Sequence, residues 1–433
     1  MLKHILRWGW IAGLLWVAIH LKHPLLYRFR DMEMPLLLLA AALGIWLAGR
    51  SLGQAAGRMP RLENRLRILA MAAVAAITVG NEAWFRWQQH EVLAANPVMR
   101  RLGAHFVVGF RDFESIRPLA ERGLIGGIYL SRANLRGASA DLIRQKIDAL
   151  QASRRAAGLP PLFIAADQEG GSVSHLSPLV ELLPPLSSLA HAGPADSLPL
   201  RAREYGERQG RALANLGVNL NLSPVVDLKP RAADGWPDLH TRIGERAISA
   251  DPAVVTAVAT AYGSGLVRAG VQPTVKHFPG LGRVRGDTHL VKSRLDATPE
   301  QLAADWHPFR EVTARTGAAM MLAHVTLPAI DPKHPASLSK AVAQGLLREK
   351  WGYRGLLMTD DLNMGAVYAD GIGRAATSAL DAGVDLLLVS YDPDQYYRAL
   401  HAAGRAWRMG AIDSLREIDS ARRLKAFWSN RAG

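Results

Sequence analysis

The chain has no cysteine among its 433 residues. That excludes disulfides, thiolate-metal centres and thiol nucleophiles, but it fits either side of a bacterial-type membrane. Charge is also scarce, at 21% Asp, Glu, Lys and Arg against 49% hydrophobic residues. Such a balance belongs to a folded chain with a large core and excludes a disordered one. Acidic residues are in shorter supply than basic ones, 38 against 52, leaving a formal net charge of +14. An excess of that size raises nucleic acid as a partner. Its distribution argues otherwise, because residues 1–100 hold 12 Lys/Arg against 5 Asp/Glu, beside apolar segments. Elsewhere no basic run is interleaved with aromatics, so no nucleic-acid partner is expected.

Long apolar runs are lacking too. Three stretches, Trp8 to Leu21, Met34 to Gly49 and Ile68 to Val79, the last flanked by Trp84, Phe85 and Trp87, each fall short of the roughly 18 to 20 residues that cross a bilayer comfortably. Lys3 and Arg7 precede the first in the manner of a signal peptide, but Lys22, His23 and Pro24 follow it instead of a small-residue cleavage site. We therefore expect residues 1–90 to be a membrane-anchoring region with two or three short transmembrane helices. With three, Lys3, Arg7, Arg50, Arg58, Arg61 and Arg65 share one side, and the positive-inside rule puts residues 90–433 outside the cytoplasm. Two spans would reverse that. The plain alternative is buried helices of a soluble domain.

From Leu102 onward, short β-rich runs alternate with helical stretches. Strands are expected at 104–110, 126–130, 162–166, 218–223, 272–276, 318–323, 355–359 and 385–389. Between them, segments such as Ser139 to Ala157, Leu200 to Leu216 and Asp251 to Ala269 have helical periodicity. Eight such units imply parallel strands joined by crossover helices and closed into a (β/α)8 TIM-type barrel over residues 95–433. Asp167, Asp227, Lys276 with His277, His324, and Asp360 with Asp361 then fall at the C-terminal ends of strands three to seven. One polar residue at a strand end is commonly a helix cap; five strands doing so together point to a site at the barrel mouth.

Three segments carry candidate chemistry. Lys276 to His289, KHFPGLGRVRGDTH, is a glycine-rich loop holding a lysine, two histidines and an aspartate. It has no GK[ST], which weakens a phosphate-cradle reading. Asp287 and His289 can form a carboxylate-imidazole pair suited to proton transfer, although such a pair by itself is more often decorative or metal-binding. Leu356 to Met364, LLMTDDLNM, ends an apolar strand with two acids, Asp360 facing the cavity and Asp361 structural; by chemistry alone they are equally suited to Mg²⁺. In Ala165 to Gly171, AADQEGG, Asp167 is placed either to accept from sugar hydroxyls or to build a turn.

In their order and spacing, DQEGG at 167–171, NLNLSPVVDL at 219–228, GERAISADP around Arg246, KHFPG at 276–280, DTH at 287–289, AHV at 323–325 and TDDLNM at 359–364 resemble glycoside hydrolase family 3, specifically its β-N-acetylglucosaminidase branch. The resemblance runs from about Arg100 to Ser429. It implies a retaining exo-β-N-acetylglucosaminidase acting on a carbohydrate substrate such as a GlcNAc-bearing peptidoglycan fragment. Asp360 would be the nucleophile, His289 assisted by Asp287 the acid/base, and Asp167, Arg246, Lys276 and His277 the sugar-holding residues. It implies no metal and no organic cofactor. It also implies one barrel domain without the two-domain extension of other members; the N-terminal charge pattern, apart from the resemblance, gives the expected place, a bacterial inner membrane with the barrel extracytoplasmic.

The chain departs from the branch pattern in two places. GGSVSH stands where GGRVQR is usual, replacing arginines by Ser172 and His175, and Leu281 replaces the histidine of KHFPGHG. Both changes are expected around the mouth, where they bear on substrate preference. Two alternatives stay open here: a phosphorylase of the same family, and a membrane-tethered sugar-binding protein that has lost turnover.

Overall fold

The computed structural model describes residues 2–191, 193–230, 241–284, 286–288 and 291–429. The chain divides into two compact units, Met1–Glu91 and Val92–Gly433.

The first unit is built on helices Leu2–Ile19, Glu33–Gln54 and Arg58–Leu93, the last of which continues just past its boundary. The second and third apolar stretches expected from sequence lie inside longer helices, and the first runs two residues past the end of its helix at Ile19. The Arg50–Gln54, Arg58–Arg67 and Asn81–His90 segments continue the helix in polar residues, which hydropathy alone does not count. Glu33–Gln54 and Arg58–Leu93 are long and apolar enough to cross a membrane, while the apolar helix His4–Ile19 is shorter. Ile11, Leu14, Ala18, Leu37, Ala41, Met71 and Val74 pack together between them. Asn81 Nδ2 donates to the Ala18 carbonyl at 2.8 Å, and Lys22 pairs with Glu82 at 3.2 Å.

The second unit is an eight-stranded parallel barrel, nearly closed. Its strands are β1 (Phe106–Val108), β2 (Gly127–Leu130), β3 (Phe163–Ala166), β4 (Leu220–Asn221), β5 (Gln272–Phe278), β6 (Ala319–Leu322), β7 (Leu357–Thr359) and β8 (Leu387–Val389). All eight expected strands are present, in sequence order around the sheet, with β8 returning to β1. A single bridge between Met358 and Leu386 joins β7 to β8. β4 is only two residues long, whereas β5 runs two residues further than expected and carries Lys276 and His277 within the strand.

Alternation along the strands sorts the core into two layers. Val107, Tyr129, Phe163, Ala165, Leu220, Met321 and Met358 fill the barrel, while Phe106, Val108, Ile128, Leu130 and Ile164 pack against the surrounding helices. Local signals start those helices. Ser139 accepts from Leu142 N at 3.2 Å, and Asp251 accepts from Ala253 N at 2.8 Å just before Pro252. Helix Ala140–Ala156 then buries Ile143, Ile147 and Leu150 on one face. The C-terminal helix Ser414–Ser429 brings Phe427 and Trp428 onto Phe163, with ring centroids 4.9 and 4.7 Å away. Phe163 is the first residue of β3, so this contact lies at the end of the barrel opposite the mouth.

Candidate active site

The mouth residues are set by strand ends. Asp167 is the first residue after β3, and Glu169 follows two positions on, in the small hairpin of Gln168–Gly170 with Val173–Ser174. Lys276 extends from β5 to both carboxylates, its Nζ lying 2.5 Å from Asp167 Oδ1 and 2.7 Å from Glu169 Oε1. Arg246, on the short helix Ile243–Arg246 between β4 and β5, holds Glu169 bidentately: Nε donates to Oε2 at 3.0 Å and Nη2 to Oε1 at 2.7 Å. Its Nη1 is tied to the Thr241 carbonyl at 2.8 Å.

His277 comes next in this network. Its Nδ1 lies 2.7 Å from Asp227 Oδ2, and the same carboxylate accepts from the backbone N–H of His277 at 3.0 Å and of Leu281 at 2.7 Å. With Nδ1 donating to Asp227, Nε2 is left to accept from Arg246 Nη2 at 3.3 Å. Asp227 is completely buried and thus orients the imidazole rather than meeting a ligand. Two glycines let the chain turn here. Gly280 has a φ of +111°, and a Cβ on Gly282 would lie 2.2 Å from the Leu228 carbonyl oxygen.

Burial and charge act against each other throughout the cluster. Burial raises the Asp167 carboxyl, but Lys276, His175 and the Tyr129 hydroxyl together more than offset it and hold the group below the usual carboxylate range. Glu169 is likewise drawn down, by Arg246 first and Lys276 second. Burial alone would lower Lys276 and Arg246, yet their carboxylate partners raise both. Two acids and two bases are therefore all ionised.

Asp360 follows β7, and its backbone N–H donates to the Leu322 carbonyl at 3.0 Å, which extends the β7–β6 pairing by one residue. Its Oδ1 accepts from Asp361 N at 2.8 Å. Asp361 plays the structural part: its carboxylate accepts from Asn363 N and Nδ2, both at 3.0 Å, from Ser390 N at 3.1 Å and Oγ at 2.5 Å, and from Tyr391 N at 3.1 Å. Burial nonetheless pushes this carboxyl above its ordinary value, against those hydrogen bonds. Asp361→Ala, by stranding these donors, should lower unfolding free energy by about 2–3 kcal/mol, read from urea denaturation.

Asp287 is buried and accepts from Thr241 Oγ1 at 3.4 Å, whereas His289 lies outside the described residues. On either side of their loop, Arg283 pairs with Asp305 at 2.9 Å and Lys292 with Asp370 at 2.7 Å. His324 does not open onto the mouth. Its Nδ1 meets Ser337 Oγ at 2.7 Å and its Nε2 the Asp361 carbonyl at 2.9 Å, so it braces the β7 loop. Leu281, expected at the mouth, has its side chain buried in the core because its N–H is drawn in to Asp227. Ser172 does face a cavity of about 250 Å³, together with Glu169, Gly171, Leu186, Glu245 and Arg246; Asp360 is not among its lining residues.

Sequence reading left Glu169, Tyr129 and the bracing role of Asp227 without assignment. Glu169 was legible in principle, because it stands at i+2 from Asp167, where an extended chain returns to the same face. Tyr129 had no local signal; it reads as one more aromatic in a strand. Among the described residues no three His, Asp or Glu side chains gather as metal ligands.

Comparison with known proteins agrees with this architecture. The family model for the glycosyl hydrolase family 3 N terminal domain matches residues 99–423. A β-hexosaminidase of Stenotrophomonas maltophilia (strain K279a) is 36% identical over 304 residues, covering 68% of this chain and 85% of that protein. β-Hexosaminidase LpqI of Mycobacterium tuberculosis is 34% identical over 297 residues, 66% and 72% of the two chains. The solved structure of a family 3 β-N-acetylglucosaminidase from Paenibacillus sp. superposes with a TM-score of 0.70 at 35% identity, over 77% of this chain; the match spans 62% of that longer protein. With the family model running across the whole barrel, the chain belongs to glycosyl hydrolase family 3, in the branch that holds its β-hexosaminidases, and is a glycoside hydrolase.

Proposed function

We propose that the protein is a retaining exo-β-N-acetylglucosaminidase. The observation that carries this reading is the placement, at the ends of β3, β5 and β7 and on the short helix between β4 and β5, of the Asp360 carboxylate and of the ionised Asp167–Lys276 and Glu169–Arg246 pairs. Asp167, Lys276, Arg246 and His277 supply the acceptors and donors a pyranose and its acetamido group require. Asp360 attacks the anomeric carbon as the C1–O bond breaks, and His289 gives its proton to the leaving oxygen. Asp287 orients that imidazole. Water, deprotonated by His289, then attacks C1 and releases Asp360, so two inversions leave configuration retained.

Water is the acceptor this charge set favours over phosphate. Lys276 and Arg246 are already paired with the carboxylates of Asp167 and Glu169, so these cations are committed to acids of the site and do not single out an incoming dianion. Full-length protein in detergent should release nitrophenol from 4-nitrophenyl N-acetyl-β-glucosaminide, with GlcNAc and not GlcNAc-1-phosphate as the product when phosphate is present. Absence of turnover would sink the reading; GlcNAc-1-phosphate would move it to a phosphorylase.

The first unit is read as a bacterial inner-membrane anchor that keeps the enzyme beside peptidoglycan fragments carrying terminal GlcNAc. Of 30 large apolar side chains exposed among the described residues, 22 lie before residue 92, including Trp8, Trp10, Trp16, Trp46, Trp84 and Trp87. That density suits lipid and its interfaces rather than water. With three spans, the positive-inside rule puts the barrel outside the cytoplasm. Because the native chain has no cysteine, a single Leu415→Cys variant reports its side directly: a membrane-impermeant maleimide should label the exposed thiol in spheroplasts. Labelling only after lysis would reverse the topology.

A further inference from the structure

Resting on the glycosidase reading above, we propose that His175 is a positioning residue for the sugar-holding carboxylate of Asp167, acting through the hydroxyl of Tyr129. The mechanism leaves both residues unused, yet they form a continuous chain into the site. Tyr129 Oη lies 2.8 Å from Asp167 Oδ2 and 2.9 Å from His175 Nδ1. The hairpin of Gln168–Ser174 folds His175 back beside Asp167, with the His175 N–H donating to the Asp167 carbonyl at 3.0 Å.

A phenol has one hydrogen, and its destination is settled here. Asp167 is ionised beside Lys276 and can only accept, so Tyr129 donates to it. Burial first, and then the charge of Asp167, push the Tyr129 hydroxyl well above its usual value, so phenolate does not compete. The phenol oxygen is thereby left to accept, and His175 must carry its proton on Nδ1. Donation runs from His175 to Tyr129 to Asp167, and each bond polarises the next. Lys276 occupies one lone pair on Oδ1 and Tyr129 one on Oδ2. The Asp167 side chain keeps 18% of its surface exposed, so its remaining lone pairs stay open to sugar hydroxyls in a fixed direction. An arginine, the usual residue of the branch at this position, would bring a guanidinium; here an imidazole meets the need through a phenol.

The test is a set of variants assayed for Michaelis parameters on the nitrophenyl glycoside and for calorimetric binding of GlcNAc itself. Because Asp167 holds the sugar in ground and transition states alike, His175→Phe should raise KM and the Kd for GlcNAc about fivefold with kcat changed less than about twofold. His175→Asn, whose amide replaces Nδ1, should restore both. His175→Gln, whose amide sits at the Nε2 position, should behave like the phenylalanine variant. Tyr129→Phe should weaken binding at least as much, and adding His175→Phe to it should cost nothing further. Unchanged KM and Kd in His175→Phe, effects of the two substitutions that multiply, or a fall in kcat alone would overturn the inference. If the parent binds GlcNAc without turnover, the glycosidase reading fails while the binding series still decides this one.

Discussion

Asp360→Asn should lower kcat/KM on 4-nitrophenyl N-acetyl-β-glucosaminide by about 10⁴-fold or more, the scale on which enzymes lose activity when the nucleophile goes. The residue is held for attack from both sides. Its N–H is locked to Leu322 of β6, and the following residue, Asp361, is fastened to the β8 loop by Ser390 and Tyr391. A carboxylate on such a frame is held in one place, which is what the proposed nucleophile requires, because rigid placement supplies rate. Azide should partly restore turnover of Asp360→Ala and yield the α-glycosyl azide, since a small anion entering in place of the carboxylate inverts the centre once. His289→Ala should differ by leaving group: a loss of about 10²- to 10⁴-fold on a sugar aglycone, where proton donation is needed, and much less on nitrophenolate. Wild-type-like activity in Asp360→Asn would remove the nucleophile assignment; a β-azide product would remove retention.

The barrel was legible because two periodicities coexist in this sequence. Runs such as LFIAA and GLLMT are too short for helices and sit between turn residues, as buried strands do, and the intervening segments place apolar residues at helical spacing behind good caps. Asp167, Lys276 and Asp360 were legible for a related reason, as charged residues that interrupt apolar strands at one end. What could not be read was reach. Nothing local says that Arg246, in a four-residue helix between β4 and β5, turns back to clamp a glutamate 77 positions earlier, or that Lys276 bridges two acids rather than one. His324 looked like a mouth residue for the same reason as Lys276; only its partners, Ser337 and the Asp361 carbonyl, show that it braces. Leu281 misled because a backbone N–H, not its side chain, was what the mouth required.

Lys276→Met should destabilise the fold by about 3–5 kcal/mol at neutral pH, the scale of breaking a buried ion pair from one side. The lysine side chain is 3% exposed and serves both Asp167 and Glu169. In the native protein those carboxyls are depressed, so their contribution is complete above the unfolded-state values of about 4 and is lost as pH falls through the folded ones. Lys276 and Arg246 are raised, so theirs is complete below the unfolded-state values, above about 10, and is lost only as pH rises through the folded ones. This network therefore adds no slope to native stability between about pH 5 and 9. In Lys276→Met, Asp167 keeps its burial but loses its largest favourable partner, so its carboxyl rises and takes up a proton at higher pH. The melting-temperature deficit against wild type should consequently be greatest near pH 7.5 and shrink toward pH 4, as protonation removes the stranded charge. Adding Asp167→Asn should recover part of it at neutral pH. A deficit that is the same at every pH, and untouched by Asp167→Asn, would mean that the lysine acts through its packed methylenes and not through its charge.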